Sequence, residues 1–163
     1  MIDLLTYFTP DSVIPMEDTS YIKMMESLVY HCLKDYPQEV RQKALEDIQS
    51  KSRSRSPQDI NLGKGFALIH SKIDEVEHIH TAVGLLPKPK KLLKGERIQS
   101  LLCIILPSSQ GRVYLSLLAK LGRLLQQQEA QKTFSAAGKL LASGNHEDAA
   151  QRITDLIREF EQG

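Results

Sequence analysis

The ten residues from Gly63 to Lys72, Gly-Lys-Gly-Phe-Ala-Leu-Ile-His-Ser-Lys, hold the combination in this chain best suited to chemistry. The two glycines make a flexed turn, Phe66–Ile69 make a short apolar strand, and His70 stands where that strand leaves the core. A polar residue at the end of a buried strand is held rigidly yet remains reachable. Neutral imidazole carries a free lone pair near pH 7, so His70 can act as a nucleophile. A phosphoryl group transferred to it needs cationic or donor partners for its oxygens, because such transfer rests on positioning and charge stabilisation. Ser71 and Lys72 follow directly, and Arg53 and Arg55 lie a short loop upstream. The same residues also suit a histidine that merely closes a strand with a hydrogen bond.

The elements that must position this segment follow from periodicity. Tyr21, Ile22, Met25, Leu28, Val29, Cys32 and Leu33 recur at helical spacing and predict a helix over 20–35. A second helix, with Pro37 in its first turn, carries Val40, Ala44, Leu45 and Ile48 on one face. It runs into the small, basic stretch Ser50–Ser56, read as a solvated loop, and Pro57 stops it. The middle of the chain changes period: Phe66–Ile69, about His80–Leu86 and Ile98–Leu106 read as buried strands. Lys88, Pro89, Lys90 and Lys91, followed by Gly95, read as a solvated loop between the last two. Helical period returns from about Arg112, with Val113, Tyr114, Leu117, Leu118, Leu121, Leu124 and Leu125 in one stripe. Ala130, Phe134, Ala137 and Leu141 form another, ended by Gly144. Asn145 then caps a final helix, with Asp148 near the capping-box position. Two helices, three or four strands and three helices make an α/β or α+β layer fold, with helices covering a small sheet.

Composition narrows the function. The chain has 163 residues, 41% hydrophobic and 25% charged, which suits one domain spanning 1–163. Its 21 Lys+Arg against 20 Asp+Glu leave a net charge of +1, so there is no global pull toward nucleic acid or a membrane surface. The longest strongly apolar run, Leu101–Leu106, is far short of the roughly 20 residues that span a bilayer. Early acidic residues (Asp3, Asp11, Glu17, Asp18) argue against a signal peptide. Cys32 and Cys103, each alone in apolar surroundings, fit buried thiols in a reducing compartment, hence a cytoplasmic protein.

The Gly63–Lys72 segment resembles the signature of the type-2 IIA domains of the bacterial phosphotransferase system, the fructose/mannitol and nitrogen-regulatory branch. That signature runs Gly-x-Gly-(apolar)-Ala-(apolar)-Pro-His-Gly-Arg/Thr, and Gly63, Gly65, Ala67 and His70 match it. Ala82–Leu85 is similar to the family's next strand, Leu101–Pro107 to its apolar strand ending in Pro, and Leu115–Leu121 to its Leu-rich helix. The resemblance implies an α/β fold, a small mixed β-sheet flanked by helices on both sides, and implies that His70 accepts phosphate from the carrier HPr or a relative. It also implies that Arg55, Ser71 and Lys72 stabilise the phosphate, that Tyr114 lines the pocket, and that no cofactor is required. With no permease domain fused, such a chain would regulate partners (a transporter, a channel or a kinase) more plausibly than feed one transporter.

The departures from the pattern point the other way. Ile69 stands where the family has Pro, Ser71 where it has Gly, Lys72 where it has Arg or Thr, and Tyr114 where it presents a second His. Lys72 keeps charge without the guanidinium fork, and Tyr114 donates a hydrogen bond without titrating near neutrality. An interaction module that keeps the fold and has lost phosphotransfer is the alternative reading. Glu77, His78 and His80 do not fix a metal-ligand geometry and read as solvated or hydrogen-bonded groups; His31 and His146 read as surface or capping residues. The Ser50–Ser56 run lacks the aromatic interleaving of a nucleic-acid surface.

Overall fold

A computed structural model describes residues 2–16, 20–54, 61–93 and 96–163. Its elements in chain order are α1 (Leu4–Tyr7), β1 (Val13–Pro15), α2 (Tyr21–Cys32), α3 (Gln38–Ser54), β2 (Asn61–Gly63), β3 (Phe66–Lys72), β4 (His80–Leu93), β5 (Glu96–Leu106), α4 (Gly111–Leu125), α5 (Gln128–Ala142) and α6 (His146–Gln162). Single turns of 3₁₀ helix at Pro10–Ser12 and Ser108–Gln110 lead into β1 and α4. The strands form one five-stranded mixed sheet in the order β1-β4-β5-β3-β2. β1 runs parallel to β4, and β3 parallel to β5, while β4–β5 and β2–β3 are antiparallel.

Strand alternation divides the interior into two layers. Phe66, Leu68, Val83, Leu102 and Ile104 face α4, α5 and α6; Ala67, Ile69, Leu101, Cys103 and Ile105 face α2 and α3. Helices thus cover both faces of the sheet, as the family resemblance implies. Cys32 and Cys103 are both buried in the second layer, and burial first, then Cys103 beside it, pushes the Cys32 thiol up. One glycine sets the α5–sheet distance. A Cβ on Gly138 would lie 2.1 Å from the Leu86 carbonyl oxygen, so the helix meets β4 at backbone contact.

Four expectations need correction. Lys88–Lys91 is not a loop: β4 continues to Leu93 and pairs with β5 at Lys90↔Ile98 and Lys91↔Arg97. A register shift between Leu85 and Lys90 takes in Pro87 and Pro89, which cannot donate to the ladder. Gly95 lies outside the described residues. α3 continues through Ser54, past the start of the run read as a loop. The i,i+4 pair Lys51–Asp47 at 3.1 Å supports this end of the helix. Asn145 makes no side-chain cap; its carbonyl accepts from Ala149 and its amide goes back to Leu140. Finally, the short α1 and β1 precede the predicted elements; β1 is too brief to show a period in the sequence.

Candidate active site

The turn into β3 explains the Gly-x-Gly spacing. Gly63, Lys64 and Gly65 all have positive φ (81°, 58° and 88°), a left-handed run in which glycine carries no Cβ penalty. β3 then runs buried from Phe66 to Ile69, and His70 is its first partly exposed residue. Period-two alternation places His70 and Lys72 on the α4 side of the sheet and Ser71 on the α3 side.

Parallel pairing brings the second half of the site into place. His70 stands opposite Ile104, and Lys72 opposite Leu106, the last residue of β5. The chain leaving β5 passes through Pro107 and Ser108–Gln110 into α4 beside the end of β3. Asp74 fastens this corner, accepting from the Ser108 amide at 2.9 Å. Its carboxyl is held below the ordinary range, chiefly by the hydrogen bonds from Ser108. Tyr114, one turn into α4, stacks on the His70 ring with centroids 5.4 Å apart and planes 25° from parallel. A Cβ on Gly111 would lie 3.8 Å from the Lys72 ammonium, so that cation sits at the first residue of α4. An imidazole, a phenol ring, an ammonium group and the positive end of a 15-residue helix therefore share one corner.

Ser71 does not reach that corner. It is fully buried, and its hydroxyl donates to Asp47 Oδ2 on α3 at 2.7 Å, so the expectation that it faces a phosphate on His70 is corrected by strand alternation. Burial alone would raise the Asp47 carboxyl; the bonds from Ser71 and Lys51, then the charges of Lys51 and His70, outweigh burial and hold it low. Lys51 also donates to the His70 carbonyl at 3.3 Å. Arg55 lies outside the described residues, as does the side chain of Arg53. Sequence reasoning missed Asp47 and Lys51, although their i,i+4 spacing on α3 was a readable signal.

The remaining histidines sit elsewhere. His80 Nε2 bonds the Tyr36 hydroxyl at 3.0 Å, and burial first, then His78, keeps its imidazole low. His31 Nε2 donates to the Asp11 carbonyl at 2.5 Å, while His78 and His146 are exposed. Among the described residues no three His, Cys, Asp or Glu side chains converge as metal ligands. Nor is any described helix long and apolar enough to cross a membrane.

A mixed sheet covered on both faces, with a histidine at the end of an interior parallel strand and a helix starting beside it, defines the class of protein. The chain belongs to the family "Phosphoenolpyruvate-dependent sugar phosphotransferase system, EIIA 2", whose model matches residues 10–142. No curated protein matches its sequence. Among solved structures it is similar to a putative phosphotransferase IIA protein, PtxA, from Streptococcus mutans, with a TM-score of 0.73 at 15% identity, covering 99% of this chain and 97% of that one. It is also similar to the nitrogen regulatory protein IIA-Ntr of Neisseria meningitidis, at TM-score 0.65 and 17% identity over 77% of this chain and 86% of that one. A third similar structure is the Escherichia coli mannitol enzyme IIA in complex with its phosphorylated enzyme IIB, at TM-score 0.62 and 9% identity over 91% and 95% of the two chains.

Proposed function

We propose that this phosphotransferase-system IIA protein accepts a phosphoryl group on His70 from phosphorylated HPr or a relative, and that its phosphorylation state regulates a partner such as a transporter, channel or kinase. The observation that carries the reading is the convergence of His70, Tyr114 and Lys72 at the start of α4. A lone pair on the neutral His70 ring forms the new N–P bond as the donor's own P–N bond breaks, its electron pair returning to the donor imidazole. One proton leaves the newly phosphorylated ring and one is taken up by the departing ring, so charge and protons balance. Tyr114 fixes the ring plane by stacking. Lys72 and the first amides of α4 supply positive potential to the equatorial oxygens without a geometric fork. Arg55, six residues upstream of Asn61, where β2 begins, is the proposed guanidinium contribution. Leu115, the residue after Tyr114 in α4, is 64% exposed and offers a protein donor an apolar contact. A phosphoryl group on His70 passes onward to an enzyme IIB or persists as a signal; both uses need the same corner.

The test is incubation with phosphoenolpyruvate, enzyme I and HPr. An acid-labile, base-stable phosphate on His70, absent from His70→Ala, supports the reading. An unlabelled protein with a matched partner set overturns it in favour of an interaction module on the same fold.

A further inference from the structure

The structure assigns Ser71, Asp47 and Lys51 as a clamp around the His70–Ser71 peptide bond that positions the His70 imidazole against Tyr114. The inference rests on the phosphoacceptor reading for its kinetic consequence, though not for its geometry. The clamp is a closed circuit. Ser71 Oγ donates to Asp47 Oδ2 at 2.7 Å, the same oxygen pairs with Lys51 Nζ at 3.1 Å, and Lys51 Nζ donates to the His70 carbonyl at 3.3 Å. It starts on one residue of the peptide bond and ends on the other.

The sheet sets the direction of these groups. The Ile73 amide bonds Leu106 on β5, so the two-residue alternation of a parallel ladder aims the polar backbone groups of Ser71 at β5 and those of His70 at the opposite edge. Lys51 brings an ammonium donor from α3 to the His70 carbonyl. Loosening the ties to α3 lets the strand end twist, and the ring on the other face swings with it. Ser71 adds the second anchor from the α3 side, where its hydroxyl is sealed from water. Asp47 and Lys51 lie one turn apart on α3 and act on the His70–Ser71 peptide; Ser71, Asp47 and Lys51 are positioning residues, not catalytic ones.

The test uses the full chain and four variants, Ser71→Ala, Ser71→Thr, Asp47→Asn and Lys51→Met, each first checked for native far-UV circular dichroism. Two measurements follow. In the first, the rate of phosphoryl transfer from phosphorylated HPr falls roughly tenfold at saturation in Ser71→Ala and Asp47→Asn, while KM for the donor stays within about twofold, because misplacement of the nucleophile costs rate rather than docking. Ser71→Thr, which keeps the hydroxyl, recovers most of the loss. In the second, which needs no phosphotransfer, the ring-current shift that Tyr114 imposes on the His70 ring protons persists in Ser71→Thr and collapses toward the free-histidine value in Ser71→Ala. A Ser71→Ala protein with both the wild-type ring-current shift and the wild-type saturated rate overturns the clamp. So does a loss confined to KM. If the wild-type chain takes no label while the ring shift still responds to Ser71→Ala, the clamp stands and the phosphoacceptor reading falls.

Discussion

Two glycines inside helices make a matched experiment on the packing that carries the site. Gly138 in α5 and Gly122 in α4 both sit mid-helix, where alanine gains about 1 kcal/mol of intrinsic propensity. Their surroundings differ. A Cβ on Gly122 meets nothing within 4 Å, whereas one on Gly138 would stand 2.1 Å from the Leu86 carbonyl oxygen and 3.1 Å from its carbon. Carbon and oxygen do not approach closer than 3.0 Å in practice, so α5 or β4 must retreat by nearly an ångström. Leu86 cannot yield freely, because its carbonyl already accepts from the buried Gln99 amide at 2.8 Å. Overpacking costs about 1–3 kcal/mol, and loosening a buried hydrogen bond costs about 1–3 kcal/mol more. After the propensity gain, Gly138→Ala loses about 1–5 kcal/mol, whereas Gly122→Ala gains about 0.5–1 kcal/mol. For a chain of this size the loss lowers Tm by roughly 2–20 °C. Urea unfolding followed by circular dichroism reads both variants. Equal stability of the two would refute the backbone contact between α5 and the sheet.

Three further outcomes follow from named contacts. Lys120 donates to the Ile2 carbonyl and to Glu161 Oε2 at 2.6 Å, with both side chains about 15% exposed, and Glu161 Oε1 has no hydrogen-bond partner among the described residues. Lys120→Met therefore costs about 3 kcal/mol in urea melts, and adding Glu161→Leu restores at least half, because the penalty is the stranded carboxylate. Asp47 titrates below the ordinary value of 3.8 in the folded protein, so its contribution is present above pH 3.8 and is lost as pH falls through the folded value. The stability gap between wild type and Asp47→Asn seen at pH 7 accordingly narrows in melts below pH 3.8; a gap that widens in acid contradicts the assignment. Tyr114→Phe keeps the stacked ring and transfers phosphate at close to the wild-type rate. Tyr114→Ala loses about 0.5–1.5 kcal/mol of ring packing, roughly a two- to tenfold fall in the same assay.

The fold was legible where one period persisted over several turns or where a strand ran unbroken. Leu117, Leu121 and Leu124 announce α4, and the run Leu101–Leu106 announces the strand against which β3 registers. The place of Tyr114 beside His70 was legible only through the family resemblance, and parallel pairing explains it: α4 follows the end of β5, which lies beside the end of β3. β1 was illegible because three residues show no period, and its place is set by parallel pairing with Val83–Leu85. Lys88–Lys91 resembled a loop because its lysines and prolines obey surface rules, while its strand geometry comes from cross-strand bonds to Ile98 and Arg97. At the site, Ser71 was misplaced by sequence adjacency: on a strand, the residue next to a nucleophile faces the other side of the sheet. Asp47 and Lys51 act 24 and 19 residues away from the groups they bind, a relation that no local pattern encodes.

The central claim, that His70 is the phosphoacceptor, is tested most directly by intact-mass and peptide mapping after incubation with phosphoenolpyruvate, enzyme I and HPr. His80→Ala serves as the control, because His80 lies at the same end of the sheet, opposite Ile105, with its ring bonded to Tyr36. One phosphoryl group per chain is expected, mapped to His70, present in His80→Ala and absent from His70→Ala. A phosphoryl group that survives in His70→Ala, or none on the wild-type chain, would contradict it.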